Sequence, residues 1–131
     1  MIDHLSTYAI DYDKTKSFYL HCFSALGYEL QEEYTANWNQ DFPTQQMCAF
    51  GTKNNPIFWV IEVKKAFTPR HIAFNAKNRL EVDQFYESGI ANNGICNGQP
   101  GLRTVYHPNY YGAFLLDPDG NNIEAVCHKL A

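Results

Sequence analysis

The sequence of 131 residues lacks three features that would assign it to a broad class at once. Its longest uninterrupted apolar run covers residues 57–61, far short of the roughly 20 residues of a membrane-spanning helix. Basic residues are not in excess, since 10 Lys and Arg face 14 Asp and Glu, which argues against a nucleic-acid binder. No charged and then apolar leader precedes Ile2, which argues against a signal peptide. We therefore expect a soluble, cytoplasmic protein.

The sequence also lacks closely spaced cysteines. Its four cysteines form no C-x-x-C pair, so we interpret them as reduced thiols that behave as small buried hydrophobes. Cys127 and His128 have the chemistry of a nucleophile and its base, but neighbours on a strand point to opposite faces. The geometry therefore excludes a thiol-protease site.

What the sequence does contain is an internal repeat. When the chain is shifted along itself by 67 residues, five identities fall within 24 aligned positions, where chance gives about one or two. The matched residues are His4 with His71, Ala9 with Ala76, Phe18 with Phe85, Tyr19 with Tyr86, and Gly27 with Gly94.

The repeat predicts the same order of elements in each half. Strands over residues 2–10 and 71–75 each precede an amphipathic helix, capped by Asp11 or Asn78. Gly89 weakens the second helix, which we expect to stop early. Further strands are predicted over residues 28–34, 46–50, 57–63, 110–116 and 122–128, with a short one near residue 95. The fold class is therefore α+β, a single domain of two βαβββ modules, at about residues 1–66 and 67–131.

Strand parity predicts that three chemically active side chains share one face. His4 and His71 occupy equivalent positions on the first strand of each module, and Glu124 lies on the last strand with its side chain on the same side. Two imidazoles and one carboxylate suit one divalent ion (Fe, Mn, Zn, Ni or Co) with positions left open for water or substrate. The alternative is a metal-free polar cluster.

These three residues, the two Phe-Tyr helices followed by glycine, and the turn at residues 117–121 resemble the vicinal oxygen chelate superfamily. That superfamily includes glyoxalase I, bleomycin- and fosfomycin-resistance proteins and extradiol dioxygenases. The resemblance implies paired βαβββ modules that form an open, barrel-like sheet around a central cavity and a metal. It also implies a small-molecule substrate that chelates the metal through two neighbouring oxygens. Single-domain members are commonly homodimers, some with modules paired across the dimer.

The resemblance also raises the question of a fourth metal ligand, which glyoxalase I carries on the last strand of its first module. A uniform shift of 67 residues makes Ile57 the equivalent of Glu124, while Glu62 lies five residues later and would serve only with a change of register. The missing carboxylate argues against ordinary glyoxalase chemistry, in which it moves a substrate proton. Two histidines and one glutamate instead match the dioxygenase iron set or the fosfomycin-enzyme manganese set.

A long segment before the seventh strand is the candidate substrate loop. Residues 96–109 lack periodicity and contain glycine and proline, so we expect a binding loop or lid. Arg103 is a candidate to hold a substrate carboxylate or phosphate through two parallel hydrogen bonds. His107 is a candidate proton donor or acceptor near neutral pH. The alternative for both is an ordinary solvated loop residue.

Four further residues are candidates for the cavity wall. Tyr110 and Tyr111 alternate, so only one of them faces the cavity, where its hydroxyl would donate a hydrogen bond at the metal. The other belongs to the core or an interface. Tyr8 and Asn75 share faces with His4 and His71 and are candidate substrate-binding residues.

Three functions fit these residues. The first is a metal-dependent enzyme that polarises an oxygen-rich small molecule, as a glyoxalase-like lyase or isomerase or a ring-cleaving dioxygenase. The second is a metal-free protein that sequesters an aromatic, antibiotic-like ligand between its many aromatic side chains. The third is a structural dimer module with a relic site.

Overall fold

The computed structural model describes residues 2–130, and its first module has the predicted order of elements. The elements are β1 (Leu5–Ala9), α1 (Tyr12–Ser24), β2 (Glu29–Thr35), β3 (Gln46–Thr52) and β4 (Asn55–Glu62). The four strands form one sheet in the order β1-β4-β3-β2, in which β1 pairs with β4 in parallel. The first strand is shorter than predicted because residues 2–4 precede the ladder.

The second module repeats this topology. Its elements are β5 (His71–Asn75), α2 (Arg79–Ala91), β6 (Ile95–Leu102), β7 (Tyr111–Leu116) and β8 (Asn122–Cys127). The strands form a second sheet in the order β5-β8-β7-β6, with β5 parallel to β8. The α+β fold of paired βαβββ modules is thereby confirmed, and the two sheets do not close into a continuous barrel.

Part of the expected loop is a strand. Residues 95–102 pair with β7 as an eight-residue edge strand, so the loop between β6 and β7 spans only residues 103–110. The ladder shifts register twice, between Cys96 and Gly98 and between Gly98 and Gly101. Glycine, proline and bulges are typical of edge strands, and they remove the alternation by which a strand is recognised in a sequence.

The helices begin where the sequence predicts. The carboxylate of Asp11 accepts the N–H of Lys14 at 3.2 Å, and the side-chain oxygen of Asn78 accepts the N–H of Glu81 at 2.8 Å. The expected early stop at Gly89 is wrong, since α2 continues to Ala91. A Cβ at residue 89 would lie 2.2 Å from Cδ1 of Leu115, so glycine is required there by the close packing of α2 on β7.

Aromatic side chains join the helices to the sheets and to each other. Phe18, Tyr19 and Phe23 of α1 and Phe85 of α2 are fully or almost fully buried. The ring of Phe23 lies 5.2 Å from that of Phe58 on β4 and 5.0 Å from that of Phe74 on β5. A single apolar cluster therefore crosses from one module to the other. No helix within residues 2–130 is long and apolar enough to cross a membrane.

The turn between β7 and β8 adds a buried polar connection between the modules. The hydroxyl of Tyr19 on α1 donates to Oδ2 of Asp117 at 2.5 Å, and Nδ2 of Asn121 donates to the same oxygen at 2.8 Å. That amide also contacts Oγ1 of Thr7 on β1 at 3.2 Å. Burial raises the pKa of Asp117 above its ordinary value, although these donors favour the ionised form.

Candidate metal centre

The second module brings two of the three predicted ligands together. In the parallel ladder of β5 and β8, His71 pairs with Asn122 and Ala73 pairs with Glu124, so both side chains project from the same face. Nε2 of His71 lies 3.3 Å from Oε1 of Glu124. The Glu124 side chain is almost fully buried, while half of the His71 side chain is exposed. The pair is therefore reachable from solvent on the histidine side only.

The contacts of His71 orient its ring toward the carboxylate. Nδ1 lies 3.1 Å from the carbonyl oxygen of Asn122. Because a carbonyl oxygen only accepts, Nδ1 carries the proton in this contact. Nε2 then faces an oxygen of Glu124, and two electron-rich atoms at this distance require a cation, either a proton on Nε2 or a bound metal ion. A carbonyl behind Nδ1 is how proteins orient metal-binding histidines, so this donor set fits a divalent metal.

Tyr110 is the tyrosine that faces this site. Its hydroxyl donates to Oε2 of Glu124, and burial, followed by this hydrogen bond, raises the pKa of Tyr110 well above its usual range. The phenol therefore stays protonated at neutral pH and acts as a donor. Tyr111 points to the other side of the sheet, where its hydroxyl donates to Asp83 at 2.6 Å and its ring packs under Arg79. Tyr111 accordingly has no position in the site.

His4 lies apart from this pair within one chain. Its Nδ1 contacts Oδ1 of Asp3 at 2.5 Å, and its ring lines a cavity of about 340 Å³ between β1, β4 and β5. Within residues 2–130, no group of three His, Cys, Asp or Glu side chains is arranged to hold a metal ion. A single chain thus gathers His71 and Glu124 but not the third predicted ligand.

The first module carries no acid at the position equivalent to Glu124. Ser6, the equivalent of Ala73, pairs with Trp59, so Trp59 and not Ile57 corresponds to Glu124. The shift of 67 residues that aligns β1 with β5 falls to 65 for β4 and β8, because the second module is two residues shorter in between. Glu62 alternates with Ile61 to the opposite face, and its Oε1 accepts the N–H of Gln46 at 2.9 Å.

The loop at residues 103–110 folds back over the sheet. The guanidinium of Arg103 donates to the carbonyls of Gly101 at 2.8 Å and Gln99 at 2.6 Å and stacks over Phe114. Its planar fork is therefore engaged with its own chain rather than presented for a bidentate contact. The ring of Phe114 in turn stacks on that of His71 at 6.4 Å.

His107 forms a contact that sequence reasoning missed. Its Nε2 lies 2.8 Å from Nδ1 of His128, and both rings contact the ring of Tyr110, at centroid distances of 5.5 and 5.3 Å. His128 lies beyond the end of β8, on the face of Glu124 and roughly 13 Å along the strand. Strand parity was the available signal, but the segment containing His107 had no predicted path that would bring it there.

The two candidate wall residues lie at the junction of the modules. The ring of Tyr8 packs against Phe67 at 5.5 Å and under the guanidinium of Arg70 at 4.9 Å. Asn75 lines both the cavity beside His4 and a second cavity near the end of β8. Neither contacts His71 or Glu124 among the recorded polar and aromatic contacts.

Removing the Tyr110 hydroxyl is expected to destabilise the metal-free protein. Tyr110→Phe leaves an oxygen of the buried Glu124 without its donor, so the free energy of unfolding should fall by about 1–2 kcal/mol, measured by urea unfolding. Tyr106→Phe is the matched control, because Tyr106 is largely exposed and should change stability by less than about 0.5 kcal/mol. Equal effects of the two changes would contradict the assigned contact.

Comparison with known families agrees with this architecture. A model of the Glyoxalase/Bleomycin resistance protein/Dioxygenase superfamily matches residues 1–125. The chain therefore belongs to this superfamily. No curated protein sequence matches the chain significantly.

Several solved structures share the fold. A glyoxalase/bleomycin resistance protein from Albidiferax ferrireducens T118 is 25% identical, with 95% of each chain covered and a TM-score of 0.71. A mutant of glyoxalase I from Zea mays is 20% identical, with a TM-score of 0.70, over 99% of this chain and 45% of the maize chain. Lactoylglutathione lyase from Agrobacterium tumefaciens is 20% identical over 97% and 92% of the two chains, with a TM-score of 0.64. The likeness to the last two proteins concerns the fold alone.

Proposed function

We propose that the protein is a divalent-metal-dependent enzyme of the glyoxalase or dioxygenase type. Its substrate would be an oxygen-rich small molecule that chelates the metal through two neighbouring oxygens. The observation that carries the proposal is the buried carboxylate of Glu124 facing Nε2 of His71 at 3.3 Å. That pair needs a cation, and the half-exposed histidine leaves a side from which a metal and a substrate can enter.

We further propose that the third ligand comes from a second copy of the chain. His71 and Glu124 would bind the metal together with His4 of the partner subunit, which makes the active form a homodimer. Exposed apolar side chains on both modules support an interface of this kind, among them Trp38 of the first module and Val105 and Tyr106 of the second.

The residues around the pair have distinct roles in this proposal. A bound divalent ion would supply Lewis-acid polarisation of the substrate. Tyr110 holds Glu124 in one orientation through its hydroxyl. His107, at hydrogen-bond distance from His128, is the group that would accept or release a proton at the open side, because an imidazole does both near neutral pH.

Metal content tests the proposal directly. After anaerobic reconstitution with each candidate ion and removal of excess metal, the wild-type protein should retain close to one ion per chain by elemental analysis. His4→Ala, His71→Ala and Glu124→Gln should each lose most of it, since removing one of three ligands lowers affinity by about 100-fold or more. His21→Ala is the matched control, because His21 is exposed on α1 and contacts only the carbonyl of Ser17. Variants that keep as much metal as the wild type would exclude this ligand set.

A second function is favoured by an aromatic face on the first module. Tyr34 lies 5.6 Å from Trp38 and 5.9 Å from Trp59, measured between ring centroids, and the rings of Tyr34 and Trp59 line a shallow cavity with Met47 and Ile61. Such a face would suit metal-free sequestration of an aromatic, antibiotic-like ligand. Tight quenching of tryptophan fluorescence by bleomycin in chelator-treated protein would favour this function over the enzyme.

A further inference from the structure

A cavity with basic walls lies at the junction of the two modules, away from the metal centre. It has a volume of about 410 Å³ and is formed by the segment after α1, the turn between β3 and β4, and the residues that follow β5 and β8. Lys77, His128 and Lys129 contribute its ionisable groups, and no Asp or Glu lines it. The cavity therefore presents positive charge without a lining counter-charge.

Both lysines are available to a ligand. Lys77 and Lys129 are exposed, and neither forms an ion pair within residues 2–130. The nearest acid in sequence is Glu81, whose carboxylate accepts the backbone N–H of Lys77 at 3.3 Å and does not line the cavity. Two unpaired ammonium groups at one concave surface favour binding of an anion.

A second cavity, of about 340 Å³, adjoins the first and has an apolar character. The two share Tyr28 and Asn75 as walls. The charged residues of the second cavity, Asp3 and His4, contact each other at 2.5 Å. The rest of its lining is largely aliphatic and aromatic, with Leu5, Ile57, Phe58, Ile72 and Phe74.

We propose that the two cavities form one groove that binds an amphipathic organic anion. The anionic head would lie between Lys77 and Lys129 beside His128, and the apolar body would extend past Tyr28 and Asn75 toward Phe58 and Phe74. Each cavity has the volume of a small-molecule site rather than of a macromolecular interface. The inference does not depend on a metal, since the basic end is roughly 13 Å from Glu124 along β8.

The test is a nuclear magnetic resonance titration of the full-length, chelator-treated protein with octanoate at neutral pH. Octanoate should shift the amide signals of Asn75, Lys77 and Lys129. The double variant Lys77→Ala with Lys129→Ala should bind at least about tenfold more weakly, because two charge-assisted contacts are lost. Lys14→Ala, which removes an exposed lysine from α1, should bind octanoate as the wild type does.

The apolar half of the groove is tested by changing the ligand. Butanoate should bind at least about tenfold more weakly than octanoate, because each buried methylene contributes about threefold to fourfold in affinity. Absence of octanoate shifts at millimolar concentration, or equal binding by the double variant and Lys14→Ala, would overturn the proposal. Equal affinity for octanoate, butanoate and inorganic phosphate would also overturn it. Because no metal is present, these outcomes are independent of the proposed metal centre.

Discussion

Chains carrying His4→Ala, refolded together with chains carrying His71→Ala, are expected to recover metal binding at about one quarter of their sites, although each variant alone binds none. Half of the randomly formed dimers contain one chain of each kind. In such a dimer, one site combines an intact His4 with an intact His71 and Glu124, and the other site lacks both histidines. The expectation rests on the separation of His4 from the His71–Glu124 pair within a single chain.

The comparison that gives this experiment its meaning is between two arrangements of the modules. If His4 reached His71 and Glu124 of its own chain, every site in the mixture would lack one histidine, and no metal would return. Refolding His71→Ala with Glu124→Gln is the internal control, because both changes affect the same half of the site. A mixture of those two variants should recover nothing in either arrangement, so recovery there would contradict the assigned ligands.

Asp117→Ala is expected to lower the free energy of unfolding by about 3–5 kcal/mol, as measured by urea denaturation. The carboxylate accepts from the Tyr19 hydroxyl, from the Asn121 side chain and from the backbone N–H groups of Asp119 and Asn121. Removing it leaves these donors buried without an acceptor. Because Tyr19 belongs to the first module and Asp117 to the second, the loss also weakens the junction between them.

The pH dependence of stability provides a second measurement at the same residue. Burial raises the pKa of Asp117 above its ordinary value of 3.8, so between these two values the folded protein binds more protons than the unfolded chain. The contribution of this group is therefore full below pH 3.8 and declines as pH rises through the folded pKa. The difference in unfolding free energy between wild type and Asp117→Asn isolates this slope. A difference that grows in favour of the wild type as pH rises would contradict it.

Much of the fold follows from local physical chemistry that the sequence displays openly. The helix caps at Asp11 and Asn78 and the apolar stripe of α1 depend on neighbouring residues, so they can be predicted without a structure. Strand alternation likewise predicted the common face of His71 and Glu124, which lie 3.3 Å apart. These predictions needed only the direction in which each side chain leaves the backbone.

The misassigned parts depend on long-range pairing. Strand β6 went unrecognised because its bulges interrupt the alternation between Ile95 and Leu102. The choice between Tyr110 and Tyr111 required the position of β7 relative to α2, where Asp83 accepts from Tyr111. The location of His4 depends on how the modules face each other, and no local pattern contains that information.

The two-residue difference between the modules has a consequence for how duplicated proteins diverge. Equivalent positions on β4 and β8, Trp59 and Glu124, differ by 65 residues, whereas those on β1 and β5 differ by 67. An even change in length keeps every side chain of the last strand on its original face, while an odd change would turn Glu124 toward the helix. After a gene duplication, insertions and deletions of two residues between these strands are therefore tolerated at the site, and those of one residue are tolerated only with a compensating bulge.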